Sequence, residues 1–270
     1  MACFCFAVFY YGEVWQEVRD FGRMRGMNRM IRLVGVLLAS MAGLLLALPA
    51  VAMDLNTREE LFYGVYWGPL SVGHARLTYT PTEKRGYRLD SEVWDESSLL
   101  ELNDRWSAVG RHISGTEFLP MRYEAIQREN DYRADKLVVF DSKAKQIRYT
   151  NRLDKNDTAP VLAWNRKMRD SLSAVYAWRR QGVEGLQRGE VLEVMGVKRP
   201  FTLVKKPAKR EKVRVGNRDM EVWSVEIAML VDGKEYPESW LVRLRDDAVL
   251  TPVQIVARTR FGTFRANLKQ

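Results

Sequence analysis

The chain has 270 residues, 46% of them hydrophobic and 29% charged, with a formal net charge of +9. This composition excludes a disordered, collagen-like or disulfide-scaffold protein. Two histidines and two cysteines, Cys3, Cys5, His74 and His112, do not lie in a recognisable metal-ligand spacing.

Taken in chain order, the first 52 residues stand apart. Asn28-Arg29-Met30-Ile31-Arg32 is a short basic region, Leu33 to Leu48 is an uncharged apolar run, and Pro49-Ala50-Val51-Ala52 ends in an A-x-A motif. That order is the signal-peptide pattern, and the apolar run is shorter than the roughly 20 residues a membrane-spanning helix needs. Segment 27–52 therefore predicts an export signal cleaved after Ala52, touching the inner membrane only before cleavage. Residues 1–26 carry Glu13, Glu17 and Asp20, which do not suit a leader. They read as an extension from a start assigned too early, with Met27 or Met30 as the expected initiator. Cys3 and Cys5 lie in that extension, so segment 53–270 has no cysteine. It is expected to be a single β-rich periplasmic domain without a disulfide or a lipid-attachment cysteine, long enough to stand on its core. Its charge is +7 once the five arginines and three acids before Met53 are removed, which favours anionic neighbours.

Leu61 to Trp67 is the first predicted strand and the most aromatic stretch after the leader, with Phe62, Tyr63, Tyr66 and Trp67. Both of its faces are partly apolar, as in a strand covered on both sides or lining a cavity. A Gly68-Pro69 turn leads to Val72–Tyr79, which alternates with period two. Tyr87–Trp94, Arg105–His112, Met121–Arg128, Tyr132–Phe140 and Gln146–Asn151 continue the pattern, and Asp95–Asn103 is a short helix or loop. Past the irregular Leu153–Asn165, the period changes: Met168, Leu172, Val175, Tyr176 and Arg179 recur at three and four, predicting one helix near 168–181. Asp170 or Ser171 would cap it, and Gly182 would end it. Strands resume at Glu190–Val197, Phe201–Lys205, Glu221–Val231, Tyr236–Leu244, Pro252–Arg260 and Thr263–Leu268. The expected fold is mainly β: one long curved antiparallel sheet (an open barrel, spiral or sandwich-like form) around a single central helix.

Chemistry-bearing patterns are sparse. The sequence has no G-x-S-x-G elbow. Asp95-Glu96 and Asp246-Asp247 read as turn residues, because adjacent strand positions point to opposite faces. His74 falls on the polar face of its strand. The expectation is therefore no enzyme, no metal and no cofactor. The strongest charge cluster is 198–218, where Lys205, Lys206, Lys209, Arg210, Lys212 and Arg214 form either a surface for an anionic partner or a solvated hairpin whose charges protect a sheet edge.

Three segments resemble one family. Phe62, Val65, Trp67-Gly68, Leu70, Val72-Gly73 and Ala75, then the helix from Asp170 to Arg179, then Trp240, Asp246-Asp247, Pro252 to Ile255, Gly262 and Leu268 are similar to the exported bacterial proteins called domain of unknown function 3108. The resemblance implies a periplasmic, β-rich curved-sheet protein, loosely like the open barrels of lipoprotein carriers and envelope-integrity factors. It carries no catalytic residue across.

The resulting expectation is a non-catalytic periplasmic envelope factor. It would bind a lipid-like or protein partner in the concave sheet, with Phe62, Tyr63, Tyr66, Trp67 and Tyr176 lining the cavity. The alternative is a module that contacts anionic glycan or lipopolysaccharide through the basic 198–218 segment. Expected partners are thus a lipid, a lipoprotein or an anionic envelope polymer, and not nucleic acid.

Overall fold

A computed structural model describes residues 54–96, 101–113 and 117–269. The expected extension 1–26, the expected leader 27–52 with its cleavage point, and part of the 95–103 connection lie outside the described residues.

Period-two alternation becomes strands β1 (Glu59–Trp67), β2 (Leu70–Thr82), β3 (Gly86–Trp94), β4 (Asn103–His112), β5 (Phe118–Glu129), β6 (Tyr132–Asp141), β7 (Gln146–Asn151), β8 (Leu162–Ala163) and β9 (Arg169–Asp170). Two short helices follow, α1 (Ser171–Arg180) and α2 (Gly182–Leu186). The chain closes with β10 (Glu190–Met195), β11 (Pro200–Lys205), β12 (Lys209–Val215), β13 (Arg218–Val231), β14 (Lys234–Arg245), β15 (Pro252–Thr259) and β16 (Gly262–Leu268).

All sixteen strands join one sheet, in the order β8-β7-β6-β5-β4-β3-β2-β1-β16-β15-β14-β13-β11-β10-β9, with β12 beside β13. Pairing is antiparallel except between β9 and β10. The two ends of the chain meet in the middle of the sheet, where β1 pairs with β16 from Tyr63↔Leu268 to Trp67↔Phe264. The sheet does not close. Its end strands β8 and β9 are separated in sequence only by residues 164–168, so one short link spans the gap between its two edges.

The inner face is set by the alternation. Tyr87, Leu89 and Val93 of β3, Trp106 and Ala108 of β4, Tyr123 and Ala125 of β5, and Val225, Ile227 and Met229 of β13 are all buried in one continuous core. On the outer face, β1 to β6 carry charges. Arg88 bonds Asp90 at 2.7 Å, Arg152 bonds Glu124 at 2.6 Å, and Arg76 pairs with Glu92. Such exposed pairs are each worth little in stability. Their placement matters more: a charged outer face is the reverse of the apolar band that a transmembrane barrel turns to lipid.

Helix α1 fills the space inside the curve. It touches β3, β4 and β5 on one side and β9 and β10 on the other, and Ser171 to Tyr176, Trp178 and Arg179 are buried. The helix starts three residues later than the apolar period suggests, because Arg169 and Asp170 extend into β9 and Asp170 becomes the cap. Asp170 accepts the Ser173 backbone N–H at 2.9 Å and the Ser173 hydroxyl at 2.5 Å, satisfying one of the orphan donors of the first turn. Gly182 does end the helix, at φ +67°, but the chain re-enters a second helical turn as α2.

Tyrosines tie this helix to the sheet. The Tyr87 and Ser173 hydroxyls bond at 2.8 Å, and Tyr176 donates to Glu59 at 3.0 Å. Tyr63 donates to the Pro252 carbonyl at 2.9 Å, and Tyr79 to the Leu55 carbonyl at 2.7 Å. Each buried ring thus contributes apolar area without stranding its hydroxyl. Burial drives the Tyr87 and Tyr176 hydroxyls well above their ordinary pKa, so they stay neutral donors. Gly110 is needed here: a Cβ at that position would lie 2.3 Å from the Leu119 carbonyl and 2.4 Å from the Tyr87 hydroxyl.

Candidate functional site

The five aromatic residues expected to line a cavity do not come together. Tyr63 and Tyr176 are core residues, each 1% exposed and hydrogen-bonded within the fold. Phe62 lies on the outer face, 43% exposed, with the Arg76 guanidinium 5.9 Å from its ring. A break in register between Val65 and Tyr66 separates the last two from the regular alternation; Tyr66 is half-buried, and Trp67 stands at the strand end. The concave side is occupied by α1 and core side chains. A cavity between α1 and β13–β14, lined by Val175, Trp178, Leu186, Val225 and Val242, measures about 20 Å³, which is room for one water rather than an acyl chain.

The basic segment is also divided by the fold. Lys205 does not face an anionic partner: it is 1% exposed, and its Nζ donates to the Gly185 carbonyl at 2.8 Å and the Arg188 carbonyl at 2.6 Å. It therefore serves the carbonyl end of α2. Lys206 pairs with Glu226 at 2.9 Å and Arg210 with Asp246 at 2.6 Å. Lys209, Lys212 and Arg214 remain exposed on β12, which pairs only with the first half of β13. The run is thus a charged edge strand, the arrangement that discourages pairing with another chain.

His74 and the acidic pairs are engaged separately. His74 Nε2 pairs with Glu96, and Lys269 Nζ donates to Nδ1 at 2.8 Å. Asp246 accepts from Trp223 Nε1 at 2.8 Å, while Asp247 caps its own turn by accepting from the Thr251 N–H and hydroxyl at 3.0 and 2.9 Å. His112 lies in a nest of Tyr79, Tyr87 and Phe118, where burial lowers its pKa to about 4. No group of three or more metal-ligating side chains occurs among the described residues.

Two features were not singled out from the sequence. One is a buried acid pair. Asp104 on β4 is 0% exposed and Glu129 on β5 is 5% exposed, both on the inner face. Asp104 Oδ1 accepts the Arg128 N–H at 2.8 Å. Burial, followed by the hydrogen bond and negative charge of Glu129, pushes the Asp104 carboxyl up to about 9. It holds a proton at neutral pH.

The other feature is where two hairpin tips meet. Because β1 pairs with β16, the β1–β2 turn lies beside the β15–β16 turn. Trp67 Nε1 donates to the Phe261 carbonyl at 3.0 Å, Gly68 N to the Thr263 carbonyl at 3.1 Å, and Arg265 Nη2 to the Gly68 carbonyl at 2.7 Å. The Trp67 and Phe264 rings stack at 6.0 Å. Gly262, at φ +116°, allows this approach: a Cβ there would come within 2.9 Å of Trp67 Nε1. Trp67, Leu70 and Phe261 nonetheless remain 45%, 60% and 48% exposed. A single exposed hydrophobic residue is ordinary, but three on two mutually bonded turns form a patch.

The fold has a solved counterpart. The structure is similar to that of a β-barrel-like protein of domain of unknown function DUF1849 from Brucella abortus, with a TM-score of 0.55 at 11% identity, covering 78% of this chain and 95% of the other. At that identity the likeness shows the fold alone. No curated protein matches the sequence. The family model described as "Protein of unknown function (DUF3108)" matches residues 63–269, and the chain belongs to that family.

Proposed function

We propose that the protein is a non-catalytic factor of the bacterial cell envelope, exported to the periplasm, that binds a lipid-like or protein partner. The observation that carries this reading is the pair of bonded hairpin tips exposing Trp67, Leu70 and Phe261. Apolar side chains left about half exposed on a preorganised frame gain roughly 1 kcal/mol each when a partner covers them. The leader at 27–52 supports the location. Among the described residues the cavity beside α1 is too small for an acyl chain, which supports contact at the tips rather than inside the curve.

The test uses lysophospholipid monomers followed by native mass spectrometry. Wild-type protein is expected to take them up, and Trp67→Ala/Phe261→Ser to weaken uptake at least tenfold at unchanged melting temperature. Equal uptake by the two proteins would remove the tips as the site.

A second reading, contact with an anionic glycan or lipopolysaccharide, is favoured by the three exposed cations of β12. Lys209→Gln/Lys212→Gln/Arg214→Gln is then expected to reduce salt-sensitive binding to lipopolysaccharide about tenfold. Unchanged binding would reject it.

A further inference from the structure

Resting on the reading that the tips are a binding surface, we infer that their partner is the surface of an anionic lipid bilayer, on which the sheet docks end-on. Charge is the first reason. Residues 61–82 and 252–269 contain no aspartate or glutamate, and the two acids of the β1–β2 hairpin, Glu59 and Glu60, lie at the end of β1 away from the tip. Arg258, Arg260 and Arg265 all lie on the second hairpin and are exposed, and the Arg260 guanidinium sits 4.7 Å from the Phe261 ring. Of the acidic groups on neighbouring segments, Glu96 bonds His74, Glu226 pairs with Lys206 and Glu238 is 3% exposed, while Asp232 and Glu235 stand exposed with Lys234 on the adjoining β13–β14 turn. On the two turns themselves an anionic surface meets arginine and no carboxylate.

The second reason is the chemistry of the apolar groups. An indole suits the boundary between headgroup and acyl chain when its one donor is satisfied, and Trp67 Nε1 already donates to the Phe261 carbonyl. Insertion therefore strands no polar atom, while the arginines remain at phosphate depth, where their planar forks pair with phosphate oxygens.

Shape is the third reason. The tips are turns, not a cavity, so a broad surface covers more of their apolar area than a single lipid molecule does. The bonds between them hold Trp67, Leu70 and Phe261 as one unit, so little ordering is needed on contact. Each arginine near an anionic leaflet adds severalfold to the partition coefficient.

The experiment is co-sedimentation with phosphatidylcholine vesicles, with and without phosphatidylglycerol, using protein expressed with its own leader and purified in whatever processed form results. Comparison with variants isolates the tips in either form. Wild type is expected to pellet with phosphatidylglycerol vesicles, less with phosphatidylcholine alone, and less again as salt rises. Leu70→Ser, on the most exposed of the three residues, should weaken partitioning about tenfold, and Trp67→Ala/Phe261→Ser about a hundredfold. Arg258→Gln/Arg260→Gln should lose roughly tenfold on phosphatidylglycerol vesicles only. If lysophospholipid monomers bind at the tips while vesicles of neither composition pellet the protein, the bilayer inference fails and the lipid-binding reading stands. If neither binds, both fail. Vesicle binding that is indifferent to all three variants would place the contact elsewhere and overturn the inference.

Discussion

Replacing Glu59 with alanine is expected to destabilise the fold by about 3–5 kcal/mol, measured by chemical denaturation at neutral pH. Glu59 opens β1, and its carboxylate receives Arg179 Nη1 and Nη2 at 2.7 Å each, together with the Tyr176 hydroxyl at 3.0 Å. The Arg179 side chain is 1% exposed, and without Glu59 it keeps a long bond to the Val249 carbonyl at 3.3 Å and its place 5.0 Å from the Tyr176 ring, with no anion beside it. A guanidinium cannot shed its proton to escape burial, so the variant would retain an uncompensated interior charge. Glu59→Leu/Arg179→Met, which removes both charges, should recover most of the loss. Burial raises the Glu59 carboxyl, but the hydrogen bonds and charge of Arg179 outweigh it and hold it below its ordinary value. The pair's contribution is therefore full above the unfolded carboxylate's pKa and is lost as pH falls through the folded one. Glu59→Gln should lack that acid-sensitive component. A Glu59→Ala variant within 1 kcal/mol of wild type would show that water reaches Arg179 and that the pair does not anchor the helix to β1.

This anchor shows what local sequence can and cannot disclose. Period-two alternation located the strands through Tyr87, Leu89 and Val93 or Trp223, Val225 and Ile227 because each faces one continuous core. The helix was legible because its apolar positions recur at three and four. β12 is not legible as a strand: Lys209-Arg210-Glu211-Lys212 has no apolar alternation, and only Val213 and Val215 turn inward, to a small satellite cluster with Val222 and Val253. β8 and β9 are too short to carry a period, and α2 follows a glycine that locally signals a stop. The greatest loss is long-range. Glu59 meets Arg179 because α1 packs inside the curve against the start of β1, and Trp67 meets Phe261 because β1 pairs with β16 at nearly the full length of the domain; no window around either residue contains those facts. The aromatic density at Leu61–Trp67 did mark the right stretch. It did not say that Tyr63 would be sealed in the core while Trp67 stands at a tip, since that division depends on the register shift after Val65 and on the partner hairpin. Likewise, nothing in the spacing of Asp104 and Glu129 announces a pair; the β4–β5 register brings them to one face.

Asp104→Asn is expected to raise stability, by roughly 2–4 kcal/mol at pH 7. The sign follows from the direction of the shift. The unfolded carboxyl has a pKa near 4, whereas burial and the neighbouring Glu129 hold the folded one at about 9. Across that window the folded state binds the extra proton, so stability falls as pH rises from 4 and levels off only above 9. Asparagine is neutral throughout, keeps an acceptor for the Arg128 N–H, and supplies an N–H donor toward Glu129, whose Oε1 has no donor. The gain should accordingly vanish near pH 4, where the wild-type carboxyl is protonated in both states, and grow toward pH 9. For a domain of this size, the shift at pH 7 corresponds to a melting temperature higher by about 5–10 °C. Asp104→Ala should gain less, because it leaves the Arg128 N–H and Glu129 without their partner. Glu129→Gln should return the Asp104 pKa toward its ordinary range by removing the like charge, which a carbon-13 carboxyl titration reads directly. If the Asn variant keeps the wild-type slope of stability between pH 5 and 9, the two carboxyls do not share a proton, and the interior at β4–β5 must be wetter than its burial implies.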